Sequence, residues 1–330
     1  DTIGTFQFES PGMRKYLQVL KPTDLEDLIA MNALYRPGPM EFIPNFIDRK
    51  HGKEVVEYPH ELLEGILKNT YGIMVYQEQI MQTAQIMAGY SLGQADILRR
   101  AMGKKKLDEM ERQSEIFVKG AKEKHDIEPE KAKEVFSVME KFAAYGFNRS
   151  HSAAYSVVAY QTAFLKANYP AEYMASVLTH NQNNIDKITF FMDECKRQNI
   201  PVLGPDINES TMNFDVNKEG QIRFGLGAIK GSGEAAVEAI VAEREENGPF
   251  ADIFDFSERV NLRAVNKKTF EALAMAGAFD CFPNGHRRQY LEQLEGQPNL
   301  IELAVGYGNN RQNEKNASQH SLFGGDSGVA

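Results

Sequence analysis

The chain has 330 residues, 42% hydrophobic and 25% charged, and its 46 acidic and 37 basic side chains give a net charge of −9. That length and composition suit a folded protein of about two domains, and no run approaches the ~18 apolar residues of a membrane helix. The acidic balance argues against a body coated with nucleic acid but permits one basic face. The first ten residues, DTIGTFQFES, carry neither the basic nor the apolar region of a signal peptide, and they begin mid-pattern without Met. An excised piece of a longer cytoplasmic protein is the expectation. Cys195 and Cys281 show no metal-ligand spacing and are expected to be small buried hydrophobes.

In chain order, the first 170 residues read as helical. Apolar positions from Leu17 to Leu34 predict helix over 11–34, ended by the Tyr35-Arg36-Pro37-Gly38-Pro39 turn, and a loop is expected to about Asn69. Ile80, Met81, Ala84 and Met87 predict a helix over 77–88 stopped by Gly89. Ser91 and Gln94 form an S-x-x-Q cap for a helix over 92–102, with Gly103 as its stop. Leu107 to Ala121 mark another helix, Pro129 opens one that runs to about Ala144, and a last one runs from about Ser150 to Asn168.

Beyond Pro170 the pattern changes. Helices are expected at 171–180 and 185–198, a β-like segment at 200–205, and a hairpin from 212–216 and 221–225. A glycine-rich turn from Gly225 to Gly233, a helix to about Glu246 and two short helical segments at 252–259 and 266–276 follow. The polar stretch from about Leu300 is expected to be a linker. The fold class is therefore mainly α with a small α+β connector.

Three clusters carry chemistry. Residues 96–106 hold five basic side chains, Arg99, Arg100, Lys104, Lys105 and Lys106, against Asp96 alone. They form either a solvated helix end, with cations at the negative dipole, or a phosphate-binding surface. At 145–155, Arg149, His151 and Tyr155 gather around a helix start; they are either core residues or an anion site, since free amides and dipole would point the same way. Gly225 to Gly233 fits neither the dinucleotide fingerprint nor the P-loop spacing. It reads as a plain turn or as a helix-hairpin-helix in which Gly231, Ser232 and Gly233 offer amides to a nucleic-acid phosphate with help from Lys230. No D-x-D pair, H-E-x-x-H or G-x-S-x-G occurs, so no catalytic residue and no metal ligand is assigned.

F-Q-F-E-S-P-G-M (6–13), A-L-Y-R-P-G-P (33–39), Y-G-I-M-V-Y-Q-E-Q-I-M (71–81), L-R-R-A-M-G-K-K-K (98–106) and Y-G-F-N-R-S-H-S-A-A-Y (145–155) resemble the fingers of the bacterial DNA polymerase III alpha subunit, the C-family replicative polymerases. P-D-I-N (205–208) and G-A-I-K-G-S-G (227–233) extend the resemblance into that family's tandem helix-hairpin-helix region. It implies fingers over 1–170, a connector over 171–224, duplex-binding hairpins over 225–285 and a linker over 286–330. By motif position, Arg99, Arg100, Arg149 and His151 would hold the incoming deoxynucleoside triphosphate, with Arg36 and Tyr155 shaping its pocket. Lys104, Lys105 and Lys106 would meet template or duplex phosphates, and Lys230, Gly231, Ser232 and Gly233 the duplex behind the active site. The two Mg ions of the family would be held by aspartates of a palm that this chain lacks, so the fragment binds no cofactor itself and would be inactive alone. An error-prone paralogue and a non-catalytic DNA-repair module are the rival readings. Gln319, Ser321, Leu322 and Phe323 resemble the peptide that docks bacterial replication proteins on the sliding clamp; the alternative is that Leu322 and Phe323 fold back on the chain's own surface. Template-primer DNA, the triphosphate, the clamp and other holoenzyme subunits are the implied partners, and no membrane is.

Overall fold

A computed structural model of the chain describes residues 1–104, 107–143, 145–283, 285, 287–293 and 296–323, without the side chains of 103–108, 316 and 318–323. It is mainly α and divides into two units, Asp1–Phe164 and Leu165–Ala330.

In the first unit, the expected single helix over 11–34 is two, α1 (Pro11–Leu20) and α2 (Leu25–Leu34). Lys21 ends α1 in the left-handed conformation, and Asp24 caps α2 through Asp27 N. Pro22 cannot continue the first ladder, and an N-capping aspartate starts a second. The expected loop to Asn69 is also corrected. It holds α3 (Ile43–Lys50) and α4 (Glu64–Leu67), with Ile43, Phe46, Ile47, Leu63 and Leu67 buried at helical spacing. Next come α5 (Gln77–Ala88), stopped by Gly89 at φ +71°, and α6 (Leu92–Lys104), where Ser91 and Gln94 cap each other as predicted. The backbone of α6 continues through Gly103 to Lys104 rather than stopping at the glycine.

The unit is completed by α7 (Leu107–His125), α8 (Pro129–Ala143) and α9 (Arg149–Asn168). Helix α5 packs on α6 and α7. Gly120 permits the closest approach, since a Cβ there would lie 2.3 Å from the Ala88 carbonyl oxygen. On α9 the small residues face inward. Ser152 Oγ donates to Ile29 O at 2.6 Å, Asn32 Nδ2 donates to Ser156 Oγ at 2.8 Å, and Ala159 is fully buried. The larger Tyr155, Val158 and Tyr160 are exposed.

The second unit begins inside α9, because Lys166 Nζ bonds the buried Glu194 at 2.6 Å. Glu194 belongs to α11 (Ile185–Arg197), which follows α10 (Pro170–His180). Strands β1 (Val202–Leu203), β2 (Asp215–Val216) and β3 (Ile222–Arg223) form a sheet ordered β1-β3-β2; β2 and β3 are the expected hairpin, and β1 adds a parallel edge. Then come α12 (Glu234–Asn247), α13 (Ile253–Arg259), capped by Asp252, α14 (Lys267–Ala276), capped by Asn266, and α15 (Arg287–Leu291).

The predicted linker is instead α16 (Leu300–Phe323). Ile301 and Ala304 are fully buried, and a Cβ on Gly308 would lie 2.3 Å from the Ser257 carbonyl oxygen. Gln312 Nε2 donates to the carbonyls of Ser257, Glu258 and Val260 at 3.2, 3.1 and 2.9 Å, satisfying the C-terminal acceptors of α13. The helix docks through small residues and one amide, so no wide apolar stripe announces it. Cys195 is buried as expected, whereas Cys281 is exposed in the loop after α14. Among the described residues no helix is long and apolar enough to cross a membrane.

Candidate functional site

Two of the five motifs pair through the backbone. Phe147 N donates to Val75 O at 3.1 Å and Gln77 N to Phe147 O at 2.9 Å, which sets the 145–148 loop beside the start of α5. A third motif joins at the Pro37-Gly38 turn. Gly38 sits at φ +98° with its Cα face against the Tyr145 ring, where a Cβ would lie 2.5 Å from the ring edge. Only glycine combines that conformation with that approach. Arg36 then crosses to the loop, with Nη2 donating to Tyr145 O at 2.7 Å and its guanidinium 4.3 Å from the centre of the Phe147 ring. Its half-buried position lowers its pKa by desolvation. Arg36 therefore braces the loop, and its nitrogens Nε and Nη2 are engaged by carbonyls.

The start of α5 organises the cations. Arg99 Nη1 donates to Gln77 Oε1 at 3.3 Å, while Gln77 Nε2 donates to Gly146 O at 3.0 Å. One amide thus touches both the α6 cluster and the 145–151 loop. Glu78 accepts from Asn148 Nδ2 at 2.9 Å and from Arg149 N at 3.0 Å, and Asn148 Oδ1 accepts from His151 N at 2.8 Å. The expectation of an open anion site at the start of α9 is corrected here: Glu78 and Asn148 already engage two of its first amides. The cations have carboxylate partners too. Asp96 takes Arg99 Nη2 and Arg100 Nη2, each at 2.8 Å, and Glu26 takes Arg149 Nη2 at 2.5 Å. The hydrogen bond from Arg99, then the nearby charge of Arg100, holds the Asp96 carboxyl below the usual range.

His151 and Tyr155 are surface residues rather than core. Phe147, His151, Tyr155 and Phe6 form a continuous ladder of rings, with centroids 5.4, 4.3 and 5.2 Å apart. So the structure brings Arg36, Arg99, Arg149, His151 and Tyr155 around α5, α6 and α9 of one unit, with Arg100 on the same helix as Arg99. The backbone of Lys104 is the end of α6; Lys105 and Lys106 lie outside the described residues, as does the Lys104 side chain. Glu26, Gln77, Glu78 and Gln79 escaped the sequence reading. For Gln77, Glu78 and Gln79 the one signal was the polar Q-E-Q run that opens the helix; Glu26, on α2, had none.

In the second unit the glycine-rich turn is a single 3-10 turn (Leu226–Ala228), a left-handed Gly231 at φ +100° and Gly233 as the N-cap of α12. Ser232 N donates to Ile229 O at 3.0 Å, so one of the three proposed amides closes the turn itself. Gly231 N and Gly233 N have no partner among the described residues, Lys230 is exposed, and the hydroxyl of Ser232 is buried without a partner. Gly225 and Gly227 serve packing, because Cβ atoms there would lie 2.5 Å from the Asn213 carbonyl carbon and 2.6 Å from Met212 Sδ. A second hairpin joins α13 to α14, with Asn261 O accepting from Ala264 N and Val265 N. Residues 319–323 form the last turn of α16, and the side chains of Gln319, Ser321, Leu322 and Phe323 lie outside the described set.

Comparison with known proteins matches these two regions separately. Residues 1–125 fit the bacterial DNA polymerase III alpha subunit finger domain, and residues 199–290 fit a helix-hairpin-helix motif. DNA polymerase III subunit alpha of Neisseria meningitidis serogroup B is 52% identical over 324 residues, which is 98% of this chain and 27% of that protein. The chain belongs to the DNA polymerase III alpha family. Two further family members, from Pasteurella multocida and Escherichia coli K12, are 52% and 50% identical over 89% and 85% of the chain. The chain spans about a quarter of the length of these relatives. Arg36, Arg99 and Arg100 fall within the matched finger domain; Arg149, His151 and Tyr155 lie beyond residue 125 and join it through α5.

Proposed function

We propose that the chain supplies the fingers and the duplex-holding hairpins of a replicative DNA-directed DNA polymerase. In this reading the first unit binds the incoming deoxynucleoside triphosphate and the second grips template-primer DNA by its backbone. The observation that carries it is the gathering of Arg99 on Gln77, Arg149 on Glu78, and His151 on the Asn148 that Glu78 holds, in a chain about half identical to polymerase alpha subunits. Arginine forks suit polyphosphate oxygens, and groups fixed on helices can orient the alpha phosphorus for in-line attack by the primer terminus. Nucleotidyl transfer with two Mg ions is assigned to palm carboxylates outside this chain, so the fragment alone is expected to be inactive. Lys104, Lys105, Lys106, Lys230, Gly231 and Gly233 are assigned to nucleic-acid phosphates, which position without reading sequence. Gln319 to Phe323 are assigned to a sliding clamp, with other holoenzyme subunits as further partners in the cytoplasm. The replicative assignment over the error-prone paralogue rests on the relatives' names.

The test is kinetic. In the full-length polymerase carrying this segment, Arg99→Ala or Arg149→Ala should lower kcat/KM for the triphosphate about 10- to 100-fold, with little change in duplex affinity. Equal loss of both would move these arginines to the DNA backbone.

A further inference from the structure

We propose that Glu26 and Asp96 are intramolecular stand-ins for phosphate, and that triphosphate binding is an exchange in which ligand oxygens displace these carboxylates from Arg149, Arg99 and Arg100. The inference rests on the nucleotide-binding reading above and adds what sets its affinity. The three arginines assigned to the triphosphate are each engaged by a carboxylate oxygen of the same unit: Arg149 by Glu26 at 2.5 Å, and Arg99 and Arg100 by the two oxygens of Asp96 at 2.8 Å each. A carboxylate oxygen on an arginine fork occupies the place a phosphate oxygen would take.

The carboxylates differ in how firmly they are held. Glu78 bonds the backbone of Arg149 and the side chain of Asn148, so it belongs to the scaffold of the loop. Among the described residues the Glu26 side chain bonds Arg149 alone, across an exposed pair whose side chains keep 34% and 45% of their surface in solvent. It can leave without breaking a cap. Beneath that pair lies a group with unmet bonding capacity. Tyr76 is 2% exposed and its hydroxyl has no partner, while the Arg149 guanidinium sits 5.8 Å from its ring centre. Burial, then the charge of Glu26, raises the pKa of that hydroxyl, so it stays protonated and able to donate. A buried hydroxyl without a partner, in the field of Glu26, Arg149 and Glu78, fits a pocket completed by a ligand.

Exchange makes a prediction opposite in sign to a structural role. Removing a structural carboxylate weakens a site; removing a competitor tightens it. Inorganic tripolyphosphate is titrated calorimetrically into the 330-residue chain, with folding checked by circular dichroism. Glu26→Gln and Asp96→Asn should each bind about two- to fivefold more tightly than the parent, the factor an exposed ion pair withholds, and the double variant more tightly still. Glu123→Gln, which removes the same charge beside Lys119 on α7, controls for net charge. If Arg149→Ala loses affinity while Glu26→Gln and Asp96→Asn gain nothing beyond the control, the exchange is overturned and the nucleotide reading stands. If Arg149→Ala and Arg99→Ala bind as the parent does, or the parent does not bind, both fail. If the carboxylate variants fold and bind more weakly, Glu26 and Asp96 are structural and the proposal is wrong.

Discussion

Gln79 gives the sharpest stability prediction. Its side chain is buried, and its amide is fully used: Oε1 accepts from Val75 N at 2.8 Å and Tyr76 N at 2.9 Å, while Nε2 donates to Ile66 O at 3.1 Å and Thr70 Oγ1 at 2.8 Å. Gln79→Ala orphans three backbone groups and removes a donor from the Thr70 hydroxyl, which keeps its own bond to Leu67 O. Each buried orphan costs about 1–3 kcal/mol, and the lower end applies where water enters the space left behind. The alanine variant recovers up to ~2 kcal/mol of side-chain entropy, which leaves a net loss of about 3 kcal/mol. For a unit of 164 residues, a loss of this size lowers Tm by about 6–12 °C. Differential scanning calorimetry of the whole chain measures it. Gln79→Met separates the causes, because it keeps the volume and removes the bonds. A drop under about 2 °C in the alanine variant, or full recovery in the methionine variant, would refute the hydrogen-bond argument.

Duplex binding should be sequence-independent, with log affinity falling against log salt at about −0.9 per phosphate neutralised; a flat response by fluorescence anisotropy would remove the hairpin assignment. Gly233→Val is the clean probe of backbone approach, since a Cβ there meets nothing within 4 Å. It should weaken duplex binding while lowering Tm by no more than the few degrees that a poorer N-cap of α12 costs. Burial pushes the Cys195 thiol up to about 11; Cys281 is an exposed residue, but desolvation of its sulfur against the Ala278 carbonyl, with the Asp206 carboxylate, pushes it up to about 12. Both stay neutral at pH 8, so iodoacetamide should label them slowly in the native chain, faster as pH rises towards those values, and fast after denaturation; rapid native labelling at pH 8 would contradict this. A peptide spanning residues 315–326 should bind the cognate sliding clamp in the micromolar range and lose binding with Phe323→Ala; no competition with other clamp ligands would remove that partner.

Local signals were legible where one residue type does one job. The Ser91/Gln94 cap, the Gly89 stop and the β2-β3 hairpin stand where their residues placed them. The misses share a cause, which is docking through small or polar groups. Periodicity sees large apolar faces, so it could not find α16, which packs by Ala304, Gly308 and the Gln312 amide, or anticipate that Ser152 and Ser156 turn inward while Tyr155 stays out. The cationic half of the site was readable as charge runs. Of the anionic half only Asp96 stood within such a run; Glu26 did not, because Glu26 and Arg149 are 123 positions apart and meet only through tertiary packing.

The two-handed amide of Gln77 has a consequence for how this region can change. It accepts from Arg99 on one side and donates to the Gly146 carbonyl on the other. A substitution in α6 therefore alters the loop that carries Arg149 without any direct contact between them. Variants at Arg99 and in 145–151 should show epistasis, with combined effects departing from the sum of the single ones, and Gln77→Leu should make the two sets independent. Sequence drift at one cluster is thereby filtered through the other, and a single neutral side chain sets which pairs of changes are compatible.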